Sequence, residues 1–191
     1  MSSNRKLIWY WPGIYRKPTE LNVLLGSLGA SQFDVKWIGH EYDSGPTPDN
    51  PNSNIRQWVA DHKEKRADWW IGLSLGAAVA HISLCCAPQS RLPKRLTLIN
   101  PFADRVELAA YAGFSIADQW NLIPVSFRCK RDIAVDLVVS NNDASVPPEQ
   151  GVRLLSCYPT SNVTVIDLHA DHSISSISAQ RSLASILLSQ S

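Results

Sequence analysis

Short apolar runs alternate along the chain with longer stretches in which apolar side chains recur every three or four positions. The short runs are Leu7–Trp11, Phe33–Ile38, Trp69–Leu73, Arg95–Ile99, Ile133–Val139 and Val163–Asp167, and they are rich in branched and aromatic residues. They read as β-strands, because such residues suit a pleated surface and near-continuous apolar runs suit a sheet covered on both faces. The stretches Glu20–Leu28, Asn54–Arg66, Leu75–Ala87, Pro148–Cys157 and Ser173–Leu188 carry helical spacing and predict covering helices. Pro147 and Pro148 stand where a helix start tolerates proline, and Ser173 is placed to cap the last helix. This β-α repeat predicts an α/β fold, three layers (α/β/α) around a mostly parallel six-stranded sheet, in one domain over residues 1–191.

Two stretches break the rhythm. Tyr42–Ser53 contains Gly45, Pro46, Pro48 and Pro51 and predicts an irregular loop, since proline fixes φ and removes backbone donors. Residues 101–132 are long for a connection and carry Phe102, Tyr111, Phe114, Trp120 and Phe127, which predicts a small cap over a site.

With 45% apolar residues in 191, the chain can fill one sizeable core. Lys plus Arg number 18 against 17 for Asp plus Glu, so no strong field draws in a nucleic-acid backbone or an anionic membrane. A small-molecule or protein-borne substrate is expected instead. The opening apolar stretch Leu7–Trp11 is too short for a signal segment, and no run approaches a membrane span. Cys85, Cys86, Cys129 and Cys157 lack metal-ligand spacing and read as reduced thiols, which predicts a cytoplasmic protein without a metal.

The sharpest local signal is Gly72-Leu73-Ser74-Leu75-Gly76, directly after one predicted strand and directly before an apolar helix. A G-x-S-x-G segment in that setting puts a serine on a tight, strained turn whose neighbours must be small, so that the hydroxyl stands above the strand ends. The following helix aims its free N–H groups and positive dipole end at the same spot, favouring an oxyanion there. A serine hydroxyl needs a base to take its proton. Of five histidines, His40 precedes the proline-rich loop, His62 lies on a charged helix face and His81 on the buried helix; only His169 and His172 follow the last strand. His172 is favoured because Asp171-His172-Ser173 leads into the final helix, with His169 as the alternative. His169, Asp171 and His172 lack the helical spacing of a metal site. A carboxylate must then hold the imidazole tautomer, and Asp143 fits, since Ser140-Asn141-Asn142-Asp143 is the turn that ends a strand. Ser74, Asp143 and His172 thus occur in the order Ser, Asp, His, each after a strand.

Those three segments resemble the elbow, acid-turn and histidine segments of the α/β-hydrolase superfamily, over nearly the whole chain. Leu98-Ile99-Asn100-Pro101 is similar to a strand-then-Asn-Pro segment of its compact, single-domain esterase and thioesterase branch. The resemblance implies an oxyanion hole made by the backbone N–H groups of Leu75 and Ile14. Trp11-Pro12-Gly13-Ile14 departs from the family, however, with Pro12 where a histidine is usual. No cofactor is implied, and the Gly72–Gly76 segment lacks the Lys-Ser/Thr ending of a phosphate-binding loop.

The expectation is therefore a serine hydrolase that cleaves a carboxylic ester of a small or medium acyl substrate through an acyl-enzyme on Ser74. Trp11, Phe102 and Trp120 are expected near the substrate pocket. A thioesterase or acyltransferase acting on coenzyme A- or carrier-bound acyl groups is the alternative; the charged run Arg128, Lys130, Arg131 and Asp132 reads first as a solvated approach to the next strand, with a docking surface for an acidic acyl carrier protein as the lesser reading. From another class, a catalytically silent hydrolase fold used as a binding module stays open.

Overall fold

The computed structural model describes residues 5–13, 21–38, 66–87, 89–102 and 132–190. The proline-rich loop at 42–53, the helix expected at 54–66 except its last residue, and the cap expected at 101–132 except its ends lie outside these residues. Strands β1 (Lys6–Trp11), β2 (Phe33–Trp37), β3 (Trp69–Leu73), β4 (Arg95–Ile99), β5 (Ala134–Ser140) and β6 (Val163–Leu168) fall where the apolar runs predict them, within a residue or so at each end. Helices α1 (Asn22–Ser31), α2 (Leu75–Cys86), α3 (Pro148–Leu154) and α4 (Ile177–Ser189) lie among them.

The strands form one sheet in the order β2-β1-β3-β4-β5-β6, every neighbouring pair parallel. All carboxyl ends therefore share one edge. The order reverses direction between β1 and β3, and in open α/β sheets the crevice beyond the strand ends at such a reversal is where ligands bind. Burial follows position in the sheet: every residue of the central β3 and β4 is buried, whereas the edge strands β2 and β6 alternate with exposed positions. Covered strands can be continuously apolar, and edge strands need not be.

Period-two alternation sends neighbouring side chains to opposite faces. Ile8 and Tyr10 of β1 join Ile71, Leu73, Leu24, Leu28, Leu183 and Leu187 on the face covered by α1 and α4. Trp9 and Trp11 join Trp70, Leu96, Leu98, Leu84 and Leu154 on the face covered by α2 and α3. There the Trp9 and Trp70 rings stack 5.7 Å apart, and Trp11 meets both edge-on, at 5.8 and 5.0 Å. Trp9, Trp11, Trp69 and Trp70 are buried in the core, while Trp37 on the edge strand β2 is half-buried against it.

At the amino-terminal edge, Arg95 donates to both carboxylate oxygens of Asp136 (2.7 and 3.1 Å) and to the Leu187 carbonyl of α4 (2.7 Å). Thr97 Oγ1 donates to the same carboxylate at 2.6 Å and accepts from Trp69 Nε1 at 2.9 Å. Every charge in this buried group has a partner, and removing one member of such a pair typically costs about 3–5 kcal/mol.

Three helix boundaries are corrected. The first helix runs Asn22–Ser31, three residues past the Leu28 expected as its end. The final helix starts at Ile177, not Ser173, and its cap is Ser176, whose hydroxyl accepts from Ala179 N at 3.5 Å. Residues 171–176 turn first because Asp171 Oδ1 accepts Ser175 N–H at 2.8 Å, a local bond that competes with helix formation. The stretch Pro148–Cys157 divides into α3 and a 3₁₀ turn at Leu155–Cys157. Among the described residues no helix is long and apolar enough to cross a membrane.

Candidate active site

Ser74 stands between β3 and α2 with φ 54° and ψ −119°, a conformation that side chains other than glycine rarely adopt. Holding it there costs about 1–3 kcal/mol, so the surroundings must impose it. They do so through its backbone: Ser74 N–H donates to the Ile99 carbonyl of β4 at 2.8 Å, and its carbonyl accepts from Ala77 and Ala78 N–H at 3.0 and 3.2 Å. The flanking glycines are required sterically. A Cβ on Gly72 would lie 2.5 Å from the Ala77 Cα, and one on Gly76 would lie 2.2 Å from the Trp11 carbonyl oxygen and 2.3 Å from that of Pro12. Their absence lets α2 press against β3 and the end of β1.

Ser74 Oγ lies 2.9 Å from His172 Nε2, and His172 Nδ1 lies 2.6 Å from Asp143 Oδ2. The donors fix the tautomer: Nδ1–H donates to the carboxylate, leaving Nε2 to accept the serine proton. Both the imidazole and the carboxylate are buried, the Asp143 side chain to 1% exposure. The other Asp143 oxygen, Oδ1, accepts from Ser145 and Val146 N–H at 2.7 and 2.8 Å. These bonds hold the carboxylate plane while Oδ2 faces the imidazole. The row can move a proton from the serine hydroxyl to the imidazole and offset the resulting positive charge.

Neighbouring turns bring the histidine in. Asn141 and Asn142 N–H donate to the carbonyls of Leu168 and Ala170, at 3.1 and 3.2 Å, so the turn after β5 lies against the turn after β6. Ile174 at φ 50° continues that second turn, and its carbonyl accepts from Gln180 of α4 at 2.9 Å. His169 goes elsewhere: it is exposed and contacts Asn141 Oδ1 at 3.0 Å. The structure therefore brings His172, not His169, to Ser74.

Phe102 is buried, its ring 6.0 Å from that of His172. Trp11 comes to the elbow through its backbone carbonyl, while its fully buried indole packs in the core. Leu75 occupies the first position of α2, where an N–H has no acceptor within the helix. Ile14 and Trp120 lie outside the described residues, as do His40, His62, Arg128, Cys129, Lys130 and Arg131. His81 is buried on α2 and hydrogen-bonds the Tyr158 hydroxyl, and burial lowers its pKa from 6.5 to about 4. Among the described residues no group of His, Cys, Asp and Glu is placed to hold a metal. A cavity of about 220 Å³ opens at the far edge of the sheet, among the first residues of the strands, including Lys6, Phe33, Trp69 and Arg95. The Ser74 row does not line it.

Asn100, which the sequence offers only as part of the strand-then-Asn-Pro segment and without a role at the site, stands at φ 45° directly after β4. Its Nδ2 donates to the His172 carbonyl at 2.8 Å and to Ser140 Oγ at 2.9 Å, and its Oδ1 accepts from Ser140 N–H at 2.9 Å. The signal was present as an asparagine between a buried strand and a proline, a place where a left-handed backbone is common for this residue type.

No protein-family model matches the chain, and no curated protein sequence does. Solved structures do. An α/β hydrolase enzyme, MGS-MChE2, from the metagenome of lagoon sediments of Mar Chica, Morocco, is 11% identical with a TM-score of 0.72, over 98% of this chain and 91% of that one. The esterase domain of a Rhodothermus marinus protein is 15% identical with a TM-score of 0.69, over 99% and 88%. A thioesterase domain from the curacin biosynthetic pathway is 12% identical with a TM-score of 0.62, over 98% and 92%. At these identities the likeness is one of fold.

Proposed function

This chain has the α/β-hydrolase fold, and on that premise we propose that it is a serine hydrolase cleaving a carboxylic ester of a small or medium acyl substrate. The observation that carries the proposal is the unbroken hydrogen-bonded row Ser74–His172–Asp143, which starts from a strained turn at the carboxyl edge of the sheet. Strain of this kind concentrates at functional sites.

In this reading His172 Nε2 takes the Ser74 proton as Oγ bonds to the ester carbonyl carbon. The oxyanion is met by the N–H of Leu75, with Ile14 N–H as the second donor; losing one such donor typically lowers the rate about 10²–10³-fold. Collapse of the intermediate breaks the bond to the alkoxide, which leaves with the proton from His172. A water then attacks the acyl-enzyme, giving its proton to His172, and the acid departs as Ser74 Oγ recovers a proton. Asp143 remains a carboxylate throughout, holding the tautomer and offsetting the imidazolium. Phe102, beside the His172 ring, borders the acyl group in this reading, and no cofactor takes part.

The same row would serve a thioesterase or acyltransferase acting on coenzyme A- or carrier-bound acyl groups, and the likeness to a thioesterase domain keeps this second reading in view. A fluorophosphonate probe tests the chemistry common to both. Wild-type protein should be labelled and Ser74→Ala should not; folded wild type that takes no label points to a binding module. Turnover of short p-nitrophenyl esters against acyl-coenzyme A and acyl-carrier thioesters then separates the two, with the oxygen esters expected to be preferred.

A further inference from the structure

The Asn100 side chain joins three pieces of chain at the carboxyl edge of the sheet. Its own strand, β4, supplies the carbonyl that accepts Ser74 N–H, through Ile99. Its Oδ1 and Nδ2 hold Ser140, the last residue of β5 and the start of the turn that carries Asp143. The second Nδ2 hydrogen goes to the carbonyl of His172. Its backbone is pinned as well, since Asn100 N–H donates to the Val138 carbonyl at 2.9 Å. Asn100 is only 3% exposed and keeps φ at 45°, in the left-handed region that asparagine adopts more readily than most residues, with its side chain committed to Ser140 and His172.

From this geometry we infer that Asn100 is a positioning residue: it sets the height and rotation of the His172 imidazole above Ser74 and ties that position to the turn bearing Asp143. The inference rests on the reading of Ser74, His172 and Asp143 given above. The chemistry asks for both of the amide's ends. A donor is needed for the His172 carbonyl and an acceptor for Ser140 N–H, on a side chain short enough to span the gap and on a backbone that tolerates the left-handed region. Aspartate has the size and the backbone tolerance but offers an oxygen to the His172 carbonyl; glycine has the backbone tolerance and no side chain.

Two variants and a control test this in the full chain. Asn100→Asp keeps the acceptor for Ser140 N–H and loses the donor to His172. Asn100→Gly keeps the backbone and loses all the side-chain bonds. Leu183→Ala removes a buried apolar side chain of α4 that makes none of the row's hydrogen bonds, and lowers stability. In both Asn100 variants kcat for a p-nitrophenyl ester should fall about ten- to a hundredfold with KM within about twofold, as expected when reacting groups are misplaced by an ångström or less. The low-field proton resonance of His172 Nδ1–H should shift or broaden in both and stay as in wild type in Leu183→Ala. If Asn100→Gly fails to fold, the Asp variant carries the same test. Folded Asn100 variants with wild-type kcat and an unmoved resonance overturn the inference while leaving the hydrolase reading intact. A fall in kcat no larger than that of Leu183→Ala overturns it too, by reducing Asn100 to a stabilising role. Wild type without Ser74-dependent turnover overturns the reading of the row itself, and this inference with it.

Discussion

His169 and His172 follow the same strand, yet only one of them meets Ser74. The sequence favours His172 for its place at the mouth of the last helix, but that helix begins only at Ile177, five residues further on. What turns His172 inward is a set of residue-scale constraints that periodicity does not register: the Asp171 carboxylate on Ser175 N–H, the left-handed Ile174, and Asn100 on the His172 carbonyl. His169 is left outside, against the Asn141 side chain. His172→Ala is accordingly expected to slow fluorophosphonate labelling by several orders of magnitude, since loss of the base of such a row lowers kcat about 10⁶-fold. His169→Ala should label within about twofold of wild type. Labelling rates for the two variants decide the point, and equal rates would move the base elsewhere.

At the scale of elements, the strand–turn–helix unit around Ser74 was legible because its requirements are local. A continuous apolar run gives the strand, small residues two positions either side give the turn, and the next apolar stretch gives the helix. Helix ends were less legible. They depend on side-chain bonds such as those of Asp171 and Ser176, for which several serines and aspartates compete within a few residues. The tightness of the elbow gives a sharp test. In Gly76→Ala the new methyl would meet the Trp11 and Pro12 carbonyls, which are backbone and cannot rotate away. The variant should lose several kcal/mol of stability or fail to fold, as an overpacked, rigid contact requires. Gly26→Ala, inside α1 with open space around the added methyl, is the control and should be neutral or gain up to about 1 kcal/mol. Urea midpoints of the two variants measure the contrast.

Across the whole molecule, the class of fold was legible because a fully parallel sheet imposes one repetitive pattern on most of the chain. The strand order was not, because it is set by which strands pair across the sheet, and the links between distant elements were not, because they are made by single side chains far apart in sequence, Arg95 to Asp136 and Leu187 among them. Stability should also respond to pH through such a buried contact. His81 binds a proton below about 4 when folded and below 6.5 when unfolded, so between these values the unfolded chain takes up a proton that the folded one refuses. Its contribution is full above pH 6.5 and is lost as pH falls toward 4, by up to about 3 kcal/mol. The urea midpoint should therefore drop more steeply over that range for wild type than for His81→Gln. The span of the row along the chain has a further consequence. Ser74 and His172 stand 98 residues apart in sequence, with Asp143 between them, so a polypeptide still being translated holds an elbow without its base. On the proposed mechanism the Ser74 hydroxyl gains its proton acceptor only when β6 and the turn after it dock at the sheet's edge, so a fragment that ends before His172 should take no fluorophosphonate label.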